Sequence, residues 1–341
     1  MNKPESNAVT PERVTQMAWS FAATVLMHTA VQTKAFDVLD TGPRTIAEVA
    51  DATGCSVRGV RALLESLLGF GLLARQGDRF SLVPDVAAFL VRGKPGFLGG
   101  LFMHINGQIL QQWMHLPEIV RTGKPIKAVN QHNQGAEFFA KFVEDLFNLN
   151  YAGAAALADA LAPELAAQDG GAINVLDIAA GSGVWGIAIA KRMPRAQITA
   201  LDWKEVTPVT RSVAAKNGVG DRLRTIEGDL NEVDFGRGYH LVTLGHILHS
   251  EGEARSRKLL KKVFDALRPG GLVAIAEFVV NDDRSGPVYP LLFAVNMLAN
   301  TDEGDAYTFG QMGRWLKEIG YTDPRQIAIP APSPILVARK N

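Results

Sequence analysis

The run VLDIAAGSGVWGIAIA, residues 175 to 190, combines residue types and spacing suited to holding a ligand. Gly181, Gly183 and Gly186 form G-x-G-x-x-G between a strand-like run and a helix-like one, where backbone must come close to whatever binds. By itself this pattern serves a nicotinamide dinucleotide equally well. Three carboxylates tilt the reading. Asp177 lies inside the end of the first strand, where it suits a cationic amino-acid end and would repel a pyrophosphate. Asp202 ends the second strand, about twenty residues beyond the glycines, where an acid accepts from both ribose hydroxyls. Asp229, in EGDL, ends the third, where it can accept from an adenine amino group. Any one of them reads as a helix cap or turn former. All three at consecutive strand ends point to one nucleoside ligand carrying an amino acid. Just past the fourth strand, where open sheets seat ligands, His249 is a candidate for moving a proton. His246 reads either as a packed strand residue or as a partner sharing that work.

The elements that must position these residues follow from residue 171 onward. NVLDIA, QITALD, LRTIEGD, YHLVTLGHIL and GLVAIAEFVV read as strands, with helices beginning near Val184, Lys204 and Glu251. Continuous apolar strands alternating with helices predict a parallel sheet covered on both faces. Ser250 and Glu253 read as a capping box opening a helix to Leu267, and Thr308 with Gln311 repeats the signature. Residues 97 to 165 look helical and rich in Phe and Met. Most of these side chains read as core, and some as the wall of an adaptable apolar pocket.

The N-terminal part has a different texture. Thr10-Pro11 predicts a helix start, and the helix carries Val14, Met17, Ala18, Phe21, Val25, Leu26 and Met27 around most of its circumference. Such a helix needs cover from a second subunit. TIAEVADATG and residues 56 to 73 read as two further helices, and Ala74 to Val83 as a hairpin turning at Gly77-Asp78. Helix, helix, hairpin is the winged-helix order. The exposed side of its second helix offers only Arg58, Arg61, Glu65 and Ser66, too few cations for phosphate neutralisation, so no nucleic-acid partner is expected.

The 341 residues exceed one ordinary core. Lys plus Arg and Asp plus Glu both number 35, which argues against a general polyanion binder. One cysteine, Cys55, excludes an internal disulfide framework and a cysteine-built zinc site. Asp302, Glu303 and Asp305 read as a solvated loop, so no metal is expected. The start MNKPESNAVTPER lacks a signal-peptide apolar region, and no membrane association is expected. The reading is a cytoplasmic protein.

VLDIAAGSGVWG, ALDW, EGDL, LGHILHSE, LRPGG and AIAEFVV, in this order, resemble the O-methyltransferases with an N-terminal dimerisation domain. These include plant caffeate- and flavonoid-type enzymes and bacterial polyketide-, phenazine- and bacteriochlorophyll-type ones. The resemblance runs from about residue 10 to the end. It implies an α/β fold: a Rossmann-like class I methyltransferase domain with a mostly helical, winged-helix-type dimerisation domain before it. The divisions expected are 1–95 for dimerisation, 96–165 for a helical linker contributing to the acceptor pocket, and 166–341 for catalysis. It implies a homodimer, S-adenosyl-L-methionine as cofactor and a small-molecule acceptor. The cofactor set it implies is Asp177, Gly181, Gly183, Asp202, Trp203, Asp229, Leu230, Gly245 and His246. The acceptor set is Met103, His104, Phe142, Asn148, Asn296 and Met297. His249 matches the histidine of the family's H-D-W motif, and Glu277 the carboxylate that orients it. Here Ser250 and Glu251 follow the histidine.

Other positions also depart from the family's pattern. Ala179 and Ala180 stand where glycines are usual. Gly245 aligns with a lysine common in plant members. Ala306 falls where a second glutamate belongs, leaving Glu303 or Asp305 as substitutes.

A histidine (pKa near ~6.5) beside a phenol (near ~10) takes the proton as the oxygen attacks a methyl sulfonium in line. The function expected is O-methylation of a small, aromatic hydroxyl acceptor. Three other readings stay open. A thiol or thioether acceptor needs less help from a base, the fold can host non-methylating chemistry, and a winged helix can serve a cofactor-sensing DNA binder.

Overall fold

The computed structural model describes residues 9–128, 132–167, 170–329 and 333–341, with side chains throughout except at 132–142 and 145. The chain divides into two compact units, Met1–Gln108 and Ile109–Asn341.

The first unit runs α1 (Glu12–Ala18), α2 (Phe21–Gln32), α3 (Ala35–Asp40), β1 (Arg44–Thr45), α4 (Ile46–Thr53), α5 (Val57–Gly69), β2 (Leu73–Gln76), β3 (Arg79–Leu82), α6 (Pro84–Phe89) and α7 (Gly99–His104). Its three strands pair antiparallel in the order β1-β3-β2. Thr45 and Glu48 cap α4 reciprocally, and Gly54 ends it left-handed. Ser56 caps α5, which buries Val60, Leu63, Leu64 and Leu67. Each such side chain contributes about 1.5–3 kcal/mol of burial. The first predicted helix is in fact two. The chain breaks at Trp19 and Ser20, and Pro11 rather than Thr10 takes the cap position of α1 without a side-chain bond. Val14, Met17, Trp19 and Phe21 remain 56–72% exposed along this pair of helices.

The second unit runs α8 (Leu110–Trp113), α9 (Leu116–Thr122), α10 (His132–Ala166), β4 (Ile173–Ile178), α11 (Val184–Arg192), β5 (Ala196–Asp202), α12 (Thr207–Lys216), β6 (Leu223–Glu227), β7 (Tyr239–Gly245), α13 (Leu248–Ala266), β8 (Leu267–Ala276), α14 (Val288–Asn300), α15 (Phe309–Ile319), β9 (Tyr321–Ile327) and β10 (Ile335–Lys340). The seven-stranded sheet has the order β6-β5-β4-β7-β8-β10-β9. The five predicted strands are parallel to one another. β10 and β9 join them antiparallel.

Successive side chains of a strand face opposite ways, which sorts the core. Ile173, Val175, Leu272 and Ala274 pack under α10, α11 and α12, whereas Leu176, Ile178, Val273 and Ile275 pack under α13 and α15. The chain winds outward from β4 in one direction through β5 and β6, then returns to lay β7 and β8 on the other side. β4 and β7 therefore flank the switch point, and the crevice beyond their carboxyl ends is where such sheets hold ligands.

Two local expectations fail. β7 stops at Gly245, so His246 is a turn residue with φ 60° and not a packed strand residue. The Ser250–Glu253 capping box does not form, because Gly252 takes φ 73° and ψ 162°, a non-helical kink within α13. Ser250 bonds the carbonyl of Ile247 instead, and Glu253 accepts from the Trp315 indole. The Thr308–Gln311 box does form at the head of α15.

Candidate active site

The glycine loop is built by contacts that leave little freedom. Gly181 and Gly183 have φ 54° and 76°. A methyl group on Gly186 would lie 2.6 Å from Ile198 of β5, so this glycine lets α11 settle on the sheet. Thr210 of α12 donates to the Gly181 carbonyl at 2.6 Å. Ala179, at a position where the resemblance implies glycine, holds φ 52°, a conformation costing a side-chain-bearing residue roughly 1–2 kcal/mol.

The three acids separate in role. Asp177 is fully buried, accepting from the Gly186 amide at 3.0 Å and from the Thr243 hydroxyl at 2.7 Å. It ties β4 to α11 and β7 and leaves no surface for a ligand. Burial pushes its carboxyl up to about 7 despite both hydrogen bonds. Asp202 is half-buried at the end of β5, accepting from the Gly181 and Trp203 amides, each at 2.7 Å. Burial pushes it up to about 6, against the pull of those amides. Asp229 accepts from the amide and side chain of Asn231 through Oδ1, leaving Oδ2 unengaged among the described residues. Leu230, beside it, has its carbonyl held by Lys262 Nζ at 2.9 Å.

His249, in the first turn of α13, and Glu277, directly after β8, form a buried pair, 8% and 2% exposed. His249 Nδ1 lies 2.7 Å from Glu277 Oε2, and the His249 amide donates to Oε1 at 3.2 Å. A carboxylate only accepts, so Nδ1 carries the hydrogen and the lone pair of the neutral ring resides on Nε2. Burial would raise Glu277, but the positive charge of His249 when protonated and its hydrogen bonds outweigh it and hold the carboxyl below its ordinary range. Neither substitute carboxylate joins this pair. Asp305 accepts from Arg284 at 3.1 Å and from the Ala306 amide, and touches His249 only through backbone. Glu303 is exposed and packs against Gly252. Among the described residues, Glu277 is the one carboxylate hydrogen-bonded to the His249 ring.

Aromatic rings surround the histidine. Phe293 of α14 meets it edge-on at 4.8 Å between centroids, and Phe278 lies 4.2 Å from Phe293 and 5.2 Å from Tyr289. His246 stacks obliquely on Phe278 at 4.8 Å and places Nε2 2.8 Å from the Ser333 hydroxyl. Burial pushes its imidazole down to about 4, although Glu277 pulls upward. Phe278 directly follows Glu277 in sequence; nothing in the sequence pattern singled out Phe293 or Tyr289.

Among the predicted acceptor residues, Asn296 and Met297 lie on α14. Asn296 accepts from the Trp113 indole at 3.3 Å, and Met297 is buried. Asn148 is exposed on α10. The Phe142 side chain lies outside the described residues. Met103 and His104 belong to the first unit, where His104 Nδ1 is 2.7 Å from Gln108 Oε1 and burial lowers its pKa. No group of three or more metal-ligating side chains occurs among the described residues, nor is any described helix long and apolar enough to cross a membrane.

The donor and acceptor set fits the cofactor the sequence implies. A half-open carboxylate ends β5, an unengaged carboxylate oxygen ends β6, and left-handed glycines open the loop between β4 and α11. Comparison with known proteins agrees. Residues 113–322 match the O-methyltransferase domain family, and residues 15–92 match the O-methyltransferase dimerisation domain. The tetracenomycin polyketide synthesis 8-O-methyl transferase of Streptomyces glaucescens is 28% identical, covering 99% of both chains. The 3-hydroxy-5-methyl-1-naphthoate 3-O-methyltransferase of Streptomyces sahachiroi is 29% identical over 94% of this chain and 92% of its own. Human N-acetylserotonin methyltransferase, solved in complex with S-adenosylmethionine, shares the fold with a TM-score of 0.84 at 21% identity, over 99% of each chain.

Proposed function

Because the chain belongs to the O-methyltransferase family and performs S-adenosylmethionine-dependent O-methylation, we propose that its acceptor is a small aromatic hydroxyl deprotonated by His249. The observation that carries this reading is the buried 2.7 Å contact between His249 Nδ1 and Glu277, which directs the basic Nε2 away from the carboxylate. The cofactor supplies an electrophilic methyl group. Asp202 accepts from its ribose, Asp229 with Leu230 borders its adenine, and the loop at Gly181 and Gly183 takes its amino-acid end.

His249 removes the acceptor proton as the oxygen attacks, and Glu277 stabilises the imidazolium that results. Phe278, Phe293 and Tyr289 supply the apolar, ring-lined wall that an aromatic acceptor stacks against. Of the two Streptomyces relatives, one is named for a hydroxylated naphthoate, a fused aromatic, and the other for polyketide synthesis, and the ring cluster about His249 suits an aromatic acceptor. Residues 1–95 serve dimerisation, with the exposed face of α1 and α2 meeting its copy in a homodimer. Residues 96–165 connect the parts and 166–341 carry catalysis, in the cytoplasm.

The test is S-adenosylhomocysteine release with panels of phenols and thiols, the products weighed by mass spectrometry. Methylated phenols whose formation drops about 10²–10⁴-fold in His249→Gln support the proposal. Methylated thiols formed at the wild-type rate in that variant overturn it.

A further inference from the structure

At the end of β7, one side chain occupies the space beside a residue that has none. Gly245 has none, and a Cβ built on it would lie 1.9 Å from Nε1 and 2.4 Å from Cδ1 of Trp185. The nitrogen edge of this indole therefore fills the space that a residue at 245 would occupy. Trp185 is the second residue of α11, directly after the glycine loop, and it is 5% exposed and packed in the core.

Its N–H is nonetheless unengaged: no described residue accepts from it. Among the described residues, the sealed side-chain nitrogens and oxygens without partners are Gln112 Oε1, Glu251 Oε2, Arg255 Nη2 and Tyr307 Oη, and the Trp185 nitrogen is not one of them. A buried indole usually finds a partner for its N–H, and the described residues supply none. β4 and β7 run side by side, Ile178 opposite Leu244, so the donor stands in the crevice at the switch point. Asp177, the residue whose type suggested contact with the amino-acid end, is used up inside the sheet. The crevice thus has an open donor, and Asp177 does not face it.

We propose that Trp185 binds the carboxylate of the cofactor's amino-acid end through its indole N–H, in the place left by the missing side chain at 245. The inference rests on the assignment of the glycine loop to that end of the cofactor. The carboxylate is the strong acceptor among the groups there, and an N–H bonded to a charged oxygen is worth more than one bonded to a neutral one.

Calorimetry with two probes tests it. S-adenosylhomocysteine carries the amino acid, and 5′-methylthioadenosine has the same nucleoside without it. Trp185→Phe keeps an aromatic ring and removes the donor. It should weaken S-adenosylhomocysteine about tenfold or more and leave methylthioadenosine within about twofold. Equal loss for both probes, or loss for neither, overturns the proposal.

The wild type provides a second readout should the variant fold poorly. Of its five tryptophans, the ¹⁵N-indole signal of Trp185, assigned by substituting the other four singly, should shift with S-adenosylhomocysteine and not with methylthioadenosine. Heat of binding with an unmoved Trp185 signal refutes the role of Trp185 alone. No heat at all refutes the cofactor-site assignment beneath it.

Discussion

At the scale of single residues, the site is a set of charges whose protonation is set by burial. Asp202 titrates near 6 because burial disfavours its charge, so it is a full acceptor only above that pH. S-adenosylhomocysteine affinity should fall as pH drops through about 6, and Asp202→Asn should bind about tenfold more weakly with that pH dependence gone; a ligand titration across pH 5 to 8 checks this. His246 has its pKa depressed from 6.5 to about 4. As pH falls through this window the unfolded chain takes up the proton first, so the native state loses stability. His246→Asn should lose less between about pH 6.5 and 4, as read from urea midpoints. His249 and Asp202 were legible as candidates because each is a chemically distinctive type at or just past a predicted strand end, and Glu277 through the resemblance; the structure pairs Glu277 with His249. The role of Asp177 was not, since an aspartate that ties a helix to a sheet has the same letter and position as one that faces a ligand. Trp185 was hidden for a related reason: a tryptophan after a glycine loop reads as core, and only the close approach to Gly245 exposes its donor.

Among the elements, periodicity gave the five parallel strands and the paired helices of the first unit, because apolar runs and caps are local signals. It missed β9 and β10. TDPRQI is polar and edge-like, and only its partnership with β10 makes it a strand. It also missed the kink at Gly252, where a glycine inside an otherwise good helical pattern takes a conformation that other residues avoid. A Cβ there would also lie 2.7 Å from the Glu303 Cβ. Gly252→Ala should therefore destabilise the protein by about 1–3 kcal/mol. Because the kink follows His249 closely in α13, it should also lower the turnover number more than the cofactor affinity. Denaturant unfolding alongside initial rates checks both; unchanged stability would show that the kink is not strained by a side chain.

For the molecule as a whole, the two-part organisation was foreseeable from length and from the change of texture along the chain. The face of α1 and α2 was legible too, as a helix too apolar to stand in water, although its break at Trp19 and Ser20 was not, for no proline or glycine marks it. Trp19, 66% exposed, and Met17, 64% exposed, lie where a second copy is expected. Replacing both with glutamate should shift the sedimentation of the protein at micromolar concentration from dimer to monomer, while the second unit stays folded by circular dichroism. Dimers that persist would place the interface elsewhere.

The most direct test asks whether His249 removes the acceptor proton. Methyl-transfer rates are measured for wild type and His249→Gln with two phenols of similar shape, one protonated and one already ionised at neutral pH. The substitution should slow the protonated phenol about 10²–10⁴-fold and the ionised one far less, because the latter has no proton to lose. An equal loss with both phenols would contradict the role of His249 as base and leave it as a residue that only positions the acceptor.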